Sequence, residues 1–397
     1  MSAVLNGMNR TSETPAPLSA SNIIFNRSTV ERSVPQHGSP EQWAQNVCSD
    51  HMVTCRWTLS DGWEVPHIVP YGNLSISPAA SCLNYATQCF EGMKAFRGFD
   101  GKLRLFRPDC NAKRLVMSAQ RVCLPAFDDN ELVELIKALL RIDAPRWLPK
   151  EAAGRFLYIR PCLVGTGDQL GVQTPREATL YIMMVPWPDF SKESPPGISP
   201  RDGLRLYASA EDTIRAWPGG FGFAKVGANY GTSFGAHGEA QHKGYDQVLW
   251  LFGPDHQITE AGASNFCAIV RNRDSGLTEL ITPPLAEKLI LDGVTRRSIL
   301  ELARSRMAGE LEVVERKFTM HELENAWEEG RIVETFVCGT AFFITPVLSI
   351  NFNGRELDLP HGDADPGKRF TSLFGDWLRN IQLGVVDHQW AVEVKEF

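Results

Sequence analysis

One lysine stands in a run that otherwise holds only glycines and small or aromatic residues: GGFGFAKVGANYG, residues 219–231, with Lys225 its only charged side chain. The ordinary reading of such a lysine is a loop side chain reaching into solvent. The chemical reading is a desolvated amine of lowered pKa, able to form a Schiff base with a carbonyl. Pyridoxal 5′-phosphate (PLP) is the common carbonyl partner, and it makes further demands. Its ring nitrogen needs a carboxylate to stay protonated, and its phosphate needs an arginine and a helix N-terminus. Glu260, in ITEAG, follows Lys225 by 35 residues, past a strand and a turn, with small residues after it. DGVTRRS carries Gly293, Val294 and Thr295 into a helix, a phosphate cradle supported by the helix dipole. CGTAFF sets Gly339, Thr340 and Ala341 ahead of an apolar strand, a second nest of amides. Singly these are a surface carboxylate, a capped helix and a turn. Their appearance together and in this order points to PLP.

Positioning these groups takes a chain of 397 residues, enough for two domains and a sizeable core. The net charge of −7, with no basic block, argues against a nucleic-acid partner. Nine cysteines without a CxxC pair, and nine histidines without HExxH, argue against a zinc site and a disulfide framework. No apolar run reaches the roughly 18 residues of a membrane helix. The start of the chain is rich in Ser, Pro and Asn, so residues 1–47 read as a flexible extension, with a cleaved leader as the other reading. Asp61-Gly62 marks a hairpin. KLRLFRP, RFLYIRP, ATLYIMMVPWP, LRLYAS, QVLWLFG and FFITPVLSI read as strands. ELVELIKALL, after Asp129-Asn130, reads as a helix, as does TRRSILELARSRM with Thr295 as its N-cap. Residues 186–200 are dense in Pro, Ser and Gly and read as a linker between a small domain, 48–185, and a large domain, 201–397. Strands and helices alternate irregularly, and no GxGxxG follows a first strand. That favours α+β over a doubly wound fold.

CFEGMKAFRG, RVCLPAF, LYIRP, LGVQTP, IRAWPGGFGFAKVGANYG, ITEAGASNF, ITPPL and DGVTRRSILELA together resemble the fold-type IV PLP enzymes, and within them the branched-chain amino-acid aminotransferases. The resemblance runs from about residue 50 to about 385. It implies two α/β domains with the cofactor at their interface. It implies that Lys225 holds the cofactor and shuttles the proton, that Glu260 pairs with the ring nitrogen, and that Tyr230 donates to the ring's phenolate oxygen. Arg114, Val294, Thr295 and Thr340 would hold the phosphate, with Arg215 close by. Tyr85, Phe90 and Tyr158 would line the substrate pocket, and Ala341 would lie where the substrate carboxylate is received. The implied reaction is ping-pong transamination between leucine, isoleucine or valine and 2-oxoglutarate, in a homodimer. The cytoplasm is the expected compartment, with the mitochondrion as the alternative. The sequence departs from the family at Ala263, where threonine is usual, and at Cys267, Asp292, Val337 and Cys338. These changes leave a second reading open, a paralogue acting on another hydrophobic or aromatic amino acid. The glycines around Lys225 are expected to let the backbone pass close to a flat cofactor.

Overall fold

The computed structural model describes residues 15–190, 202–341, 343–362 and 369–396. Alternating apolar and polar residues build two large sheets, each covered by helices. The first sheet runs in the order Ile24–Phe25, His67–Pro70, His51–Thr58, Glu177–Pro186, Phe156–Gly165, Met93–Arg97, Leu103–Phe106 and Ala391–Val394. Two short strands join it off this path. Gly62–Trp63 completes the hairpin expected at Asp61-Gly62, and Gln88–Phe90 pairs with Phe156–Gly165. Helices Pro108–Arg121 and Asp129–Trp147 pack their leucines into this sheet's core. The second helix starts where Asp128 accepts the Asn130 amide, a cap worth about 1 kcal/mol.

In the second sheet, strands Gln257–Ala261, Gln247–Phe252, Leu204–Ala208, Phe343–Phe352, Ile332–Gly339 and Ser264–Arg271 follow one another. The last also pairs with the first, so these strands close a ring. Thr278–Thr282 and Glu312–Glu315 extend it. Helices Val294–Arg306 and Phe370–Gln382 cover one face through Ile299, Leu302, Phe374 and Leu378. Helix Met320–Glu328, opened by a Thr319/Glu322 capping box, packs on the other apolar cluster. The α+β expectation holds, with segregated helices on two mixed or antiparallel sheets.

Three local expectations need correction. Residues 15–47, expected to be flexible, lie against the first sheet. Leu18 is buried, Ile24–Phe25 adds a parallel edge strand, and His51 pins the segment by accepting the Ser28 amide at 2.8 Å. Residues 1–14 lie outside the described residues, as does most of the expected linker, from 191. The chain after 201 does not stay with the second sheet. Ala391–Val394 pairs antiparallel with Leu103–Phe106, and Glu396 closes a two-pronged ion pair on buried Arg97 at 2.5 and 2.8 Å. Finally, helix Val294–Arg306 begins after Gly293 with no side-chain cap, so Thr295 lies inside its first turn rather than capping it.

Candidate active site

A cavity of about 280 Å³ opens where the two sheets meet, and it gathers most of the groups expected from sequence. Lys225, Tyr230, Glu260, Arg114, Val294, Thr295 and Thr340 line it, and so do Phe90, Tyr158 and Ala341. Lys225 sits in a segment fastened to the first sheet and its helix Pro108–Arg121. Its amide donates to Ser118 Oγ at 2.8 Å, and its carbonyl accepts from the Phe90 amide at 3.1 Å. Its Nζ donates to Tyr230 Oη at 3.0 Å, and the Phe90 ring lies 4.8 Å from Nζ. The neighbouring glycines serve protein packing rather than the cavity. A Cβ on Gly222 would come within 2.7 Å of the Leu289 carbonyl, and one on Gly227 within 2.4 Å of Gln88. Close approach is therefore real here, but it is to the protein's own backbone and side chains.

Glu260 is the penultimate residue of strand Gln257–Ala261 on the closed ring and is buried. One oxygen accepts from the Leu291 amide at 2.8 Å and from Asn265 Nδ2 at 3.1 Å. The other meets an Arg215 nitrogen at 2.6 Å. Burial pushes the Glu260 carboxyl above its ordinary range, and Arg215 and the Leu291 amide oppose this without cancelling it. Arg215 thus contacts the carboxylate and does not line the cavity.

At the other end, the first-turn amides of helix Val294–Arg306 have no side-chain cap, which leaves them available to an anion. Buried Arg296 anchors the loop before this helix by donating to the Pro283 carbonyl at 2.8 Å and to Glu315 at 2.8 Å. Arg114 is more committed than expected. Nε and one terminal nitrogen hold Glu91 at 2.6 and 2.8 Å, and the other donates to the Asp292 carbonyl at 2.8 Å. It offers the cavity charge and the N–H groups left over from these bonds.

These features fit a phosphorylated pyridine aldehyde. They provide an amine, a buried carboxylate with spare acceptor capacity, and uncapped helix amides beside an arginine. Tyr85 is not brought to this site. Its helix, Ser81–Tyr85, ends in a left-handed turn at Ala86, and its hydroxyl donates to the Leu170 carbonyl. Tyr158 fits because Gly92 has no Cβ, which would lie 1.9 Å from the Tyr158 hydroxyl. Its ring stacks on Trp187 at 4.5 Å.

Two residues escaped the sequence reading. Glu91 is fully buried and also accepts from Asn111 Nδ2 at 2.8 Å; burial works to raise its carboxyl, yet Arg114 holds it below the usual range. The signal was a lone acid inside the apolar stretch CFEGMKAF. Arg160 lines the cavity above Phe90, 4.8 Å from its ring, and donates to Tyr158 Oη at 3.2 Å. Among the described residues its buried Nε has no hydrogen-bond partner.

A lysine facing a buried carboxylate and an anion cradle, at the edge of a closed mixed sheet, defines a PLP-type transferase site. Residues 88–350 match the family described as amino-transferase class IV, and the chain belongs to that family. Among relatives, it is 43% identical to the cytosolic branched-chain-amino-acid aminotransferase of Mus musculus, over 99% of this chain and 98% of that one. It is 40% identical to the cytosolic enzyme of that name from Saccharomyces cerevisiae, covering 95% of this chain and 98% of the other. The fold is shared with the Escherichia coli branched-chain amino acid aminotransferase at a TM-score of 0.66 and 23% identity, covering 86% of this chain and 99% of that chain.

Proposed function

We infer that this chain is a PLP-dependent aminotransferase exchanging amino groups between branched-chain L-amino acids (leucine, isoleucine and valine) and 2-oxoglutarate. The observation that carries the reading is a single cavity lined by Lys225, buried Glu260 and the uncapped start of helix Val294–Arg306. PLP, when bound, supplies a carbonyl that condenses with amines and a ring that withdraws electrons, which makes an amino acid's α-proton acidic. Lys225 Nζ would take that proton and hand it to the cofactor's aldehyde-derived carbon within the same half-reaction, and move it the opposite way in the second, with Tyr230 Oη, 3.0 Å away, to orient it. Glu260 holds the ring-nitrogen proton. The amides of Val294 and Thr295, the Thr340 hydroxyl and Arg114 hold the phosphate. The amides around Ala341 receive the substrate carboxylate.

Phe90 and Tyr158 give the side-chain pocket apolar walls. There one methylene is worth only about 1–3 kcal/mol, so all three branched chains are accepted. Glutamate must occupy the same pocket in the other half-reaction, and Arg160, whose Nε has no partner among the described residues, is the group we assign to its second carboxylate.

The reading includes a homodimer. Leu170 and Val172 project from the LGVQTP stretch at 71% and 86% exposure, apolar surface that a second copy would cover. It also divides the chain into small and large catalytic domains near residues 186–200, and it places the protein in the cytoplasm, the compartment named for the mouse and yeast relatives above. None of the described helices is long and apolar enough to cross a membrane.

The experiment is a panel of amino acids with 2-oxoglutarate as acceptor, run on holoprotein and on Lys225→Ala. Parallel-line kinetics with leucine, isoleucine and valine, lost in the variant, are expected. Equal kcat/KM for leucine and phenylalanine would overturn the branched-chain assignment, and no amino transfer to any acceptor would overturn the transaminase reading itself.

A further inference from the structure

Lys94 lies in the middle of strand Met93–Arg97, directly opposite Tyr158 on the neighbouring strand, and is only 4% exposed. A buried ammonium ordinarily has a carboxylate against it, because isolated charge in an apolar interior is costly. Lys94 has ring faces instead. Its Nζ lies 4.0 Å from the Phe156 centroid and 5.5 Å from that of Phe343. Among the described residues no ion pair reaches it. The charges that face it are Asp189 and Arg379, themselves joined at 3.3 Å.

The side chain borders a second, smaller void of about 30 Å³, enough for about two water molecules. Three of the void's lining residues, Val294, Thr295 and Thr340, also line the active-site cavity at its anion-cradle end. Asn111, which donates to Glu91 beside Arg114, lines it as well, and so does Gln382, whose buried Oε1 has no partner among the described residues. The void therefore backs onto the cradle, with a lysine on its far wall.

We propose that Lys94 is a positioning cation for the phosphate-binding end of the site, acting from behind the cradle across this void. The inference rests on the PLP reading above. Burial draws the Lys94 amine down to about 7, Asp189 opposing and Arg379 assisting. A phosphate anion in the cradle supplies the counter-charge that the interior lacks, which raises the amine's proton affinity. The sign follows. Below pH 7 the amine is already charged and its attraction for the phosphate is fully present. Above pH 7 binding must first draw in a proton, so the attraction fades as pH climbs toward the amine's higher bound-state value.

The test uses apoprotein titrated with pyridoxal 5′-phosphate, and separately with pyridoxal, at about pH 6.5 and about pH 8.5 in buffers of different ionisation heat. Expected is proton uptake on binding pyridoxal 5′-phosphate at the higher pH, absent with pyridoxal. Lys94→Met keeps the side chain's length and removes a buried charge, so its Tm should not fall. It should weaken pyridoxal 5′-phosphate about tenfold at the lower pH and leave pyridoxal unchanged. Lys94→Arg should restore affinity while abolishing the proton uptake. Equal weakening of both ligands in Lys94→Met, or wild-type affinity at both pH values, overturns the proposal. Wild-type protein that binds neither ligand overturns the PLP reading and this inference with it. The two failures are therefore distinguishable.

Discussion

Two buried arginine–glutamate pairs flank the cavity, and they behave in opposite ways. Glu91 receives two nitrogens of Arg114, the amide of Asn111 and the Gly92 N–H, and its carboxyl is held below the ordinary range. Glu260 receives one nitrogen of Arg215 and two neutral donors, and burial keeps its carboxyl above that range. The residue types are the same and both carboxylates are buried, so the difference lies in how many charged donors each one meets. Glu91 is satisfied and serves as scaffold for Arg114. Glu260 meets fewer charged donors, and the protonated ring nitrogen of the proposed cofactor would supply the further contact. A functional carboxylate is distinguished here by incomplete satisfaction rather than by burial.

That contrast can be broken experimentally. The largest effect is expected outside both pairs: Lys225→Ala should lower kcat by about 10²–10⁴-fold or more, measured on holoprotein, because it removes the amine proposed to move the proton, whereas the two carboxylates are proposed only to support the cofactor. Glu91→Gln leaves Arg114 charged, buried and half-partnered, so it should cost about 3–5 kcal/mol of stability, read by denaturant unfolding. Glu260→Gln should instead cost about 1–3 kcal/mol in kcat/KM, with less loss of stability than Glu91→Gln. If the two variants lose stability equally, the distinction drawn between the pairs fails.

A pH series sharpens it further. Glu91, with its lowered pKa, contributes stability above the ordinary carboxylate range that is lost as pH falls through its folded value. Glu260, with its raised pKa, favours the fold below that range and loses this contribution as pH rises through its folded value. In apoprotein, Glu91→Gln should flatten the acid limb of the stability profile and Glu260→Gln the limb above it. Ala263→Thr, which adds a hydroxyl to the cavity wall, should shift the leucine KM by about fivefold. The smallest effect is expected at Tyr85→Phe, which removes only a hydrogen bond to the Leu170 carbonyl and should leave kcat/KM unchanged.

What the sequence made legible follows the same logic. Lys225 and Glu260 could be read from the short stretches that hold them, and Tyr230 only from the resemblance of its stretch to the fold-type IV enzymes. The long strands and helix Asp129–Trp147 could be read from their periodicity. Glu91 was visible as a lone acid in CFEGMKAF, but its role was not, since that comes from Arg114, 23 residues on, and nothing local names the partner of an ion pair. Arg160 follows Tyr158 by two residues on one strand, which puts both side chains on the same face, but nothing local shows which face borders a cavity. Tyr85 lies outside the cavity with its hydroxyl on the Leu170 carbonyl, a contact 85 residues away that no local pattern shows. The packing of residues 15–47 was hidden because its ties, such as His51 to Ser28, are tertiary and its composition is that of a tail.

The strand Ala391–Val394 carries a consequence for how the molecule is made. It supplies an edge to the first sheet, whose other strands all lie before residue 187, and Glu396 neutralises the buried guanidinium of Arg97. On a ribosome, the first lobe must wait for residues 391–396 before this edge and its interior charge are complete. Nascent chain therefore holds one open strand edge, that of Leu103–Phe106, while the residues between 106 and 391 are made, and removing residues 391–396 injures the lobe that was translated first.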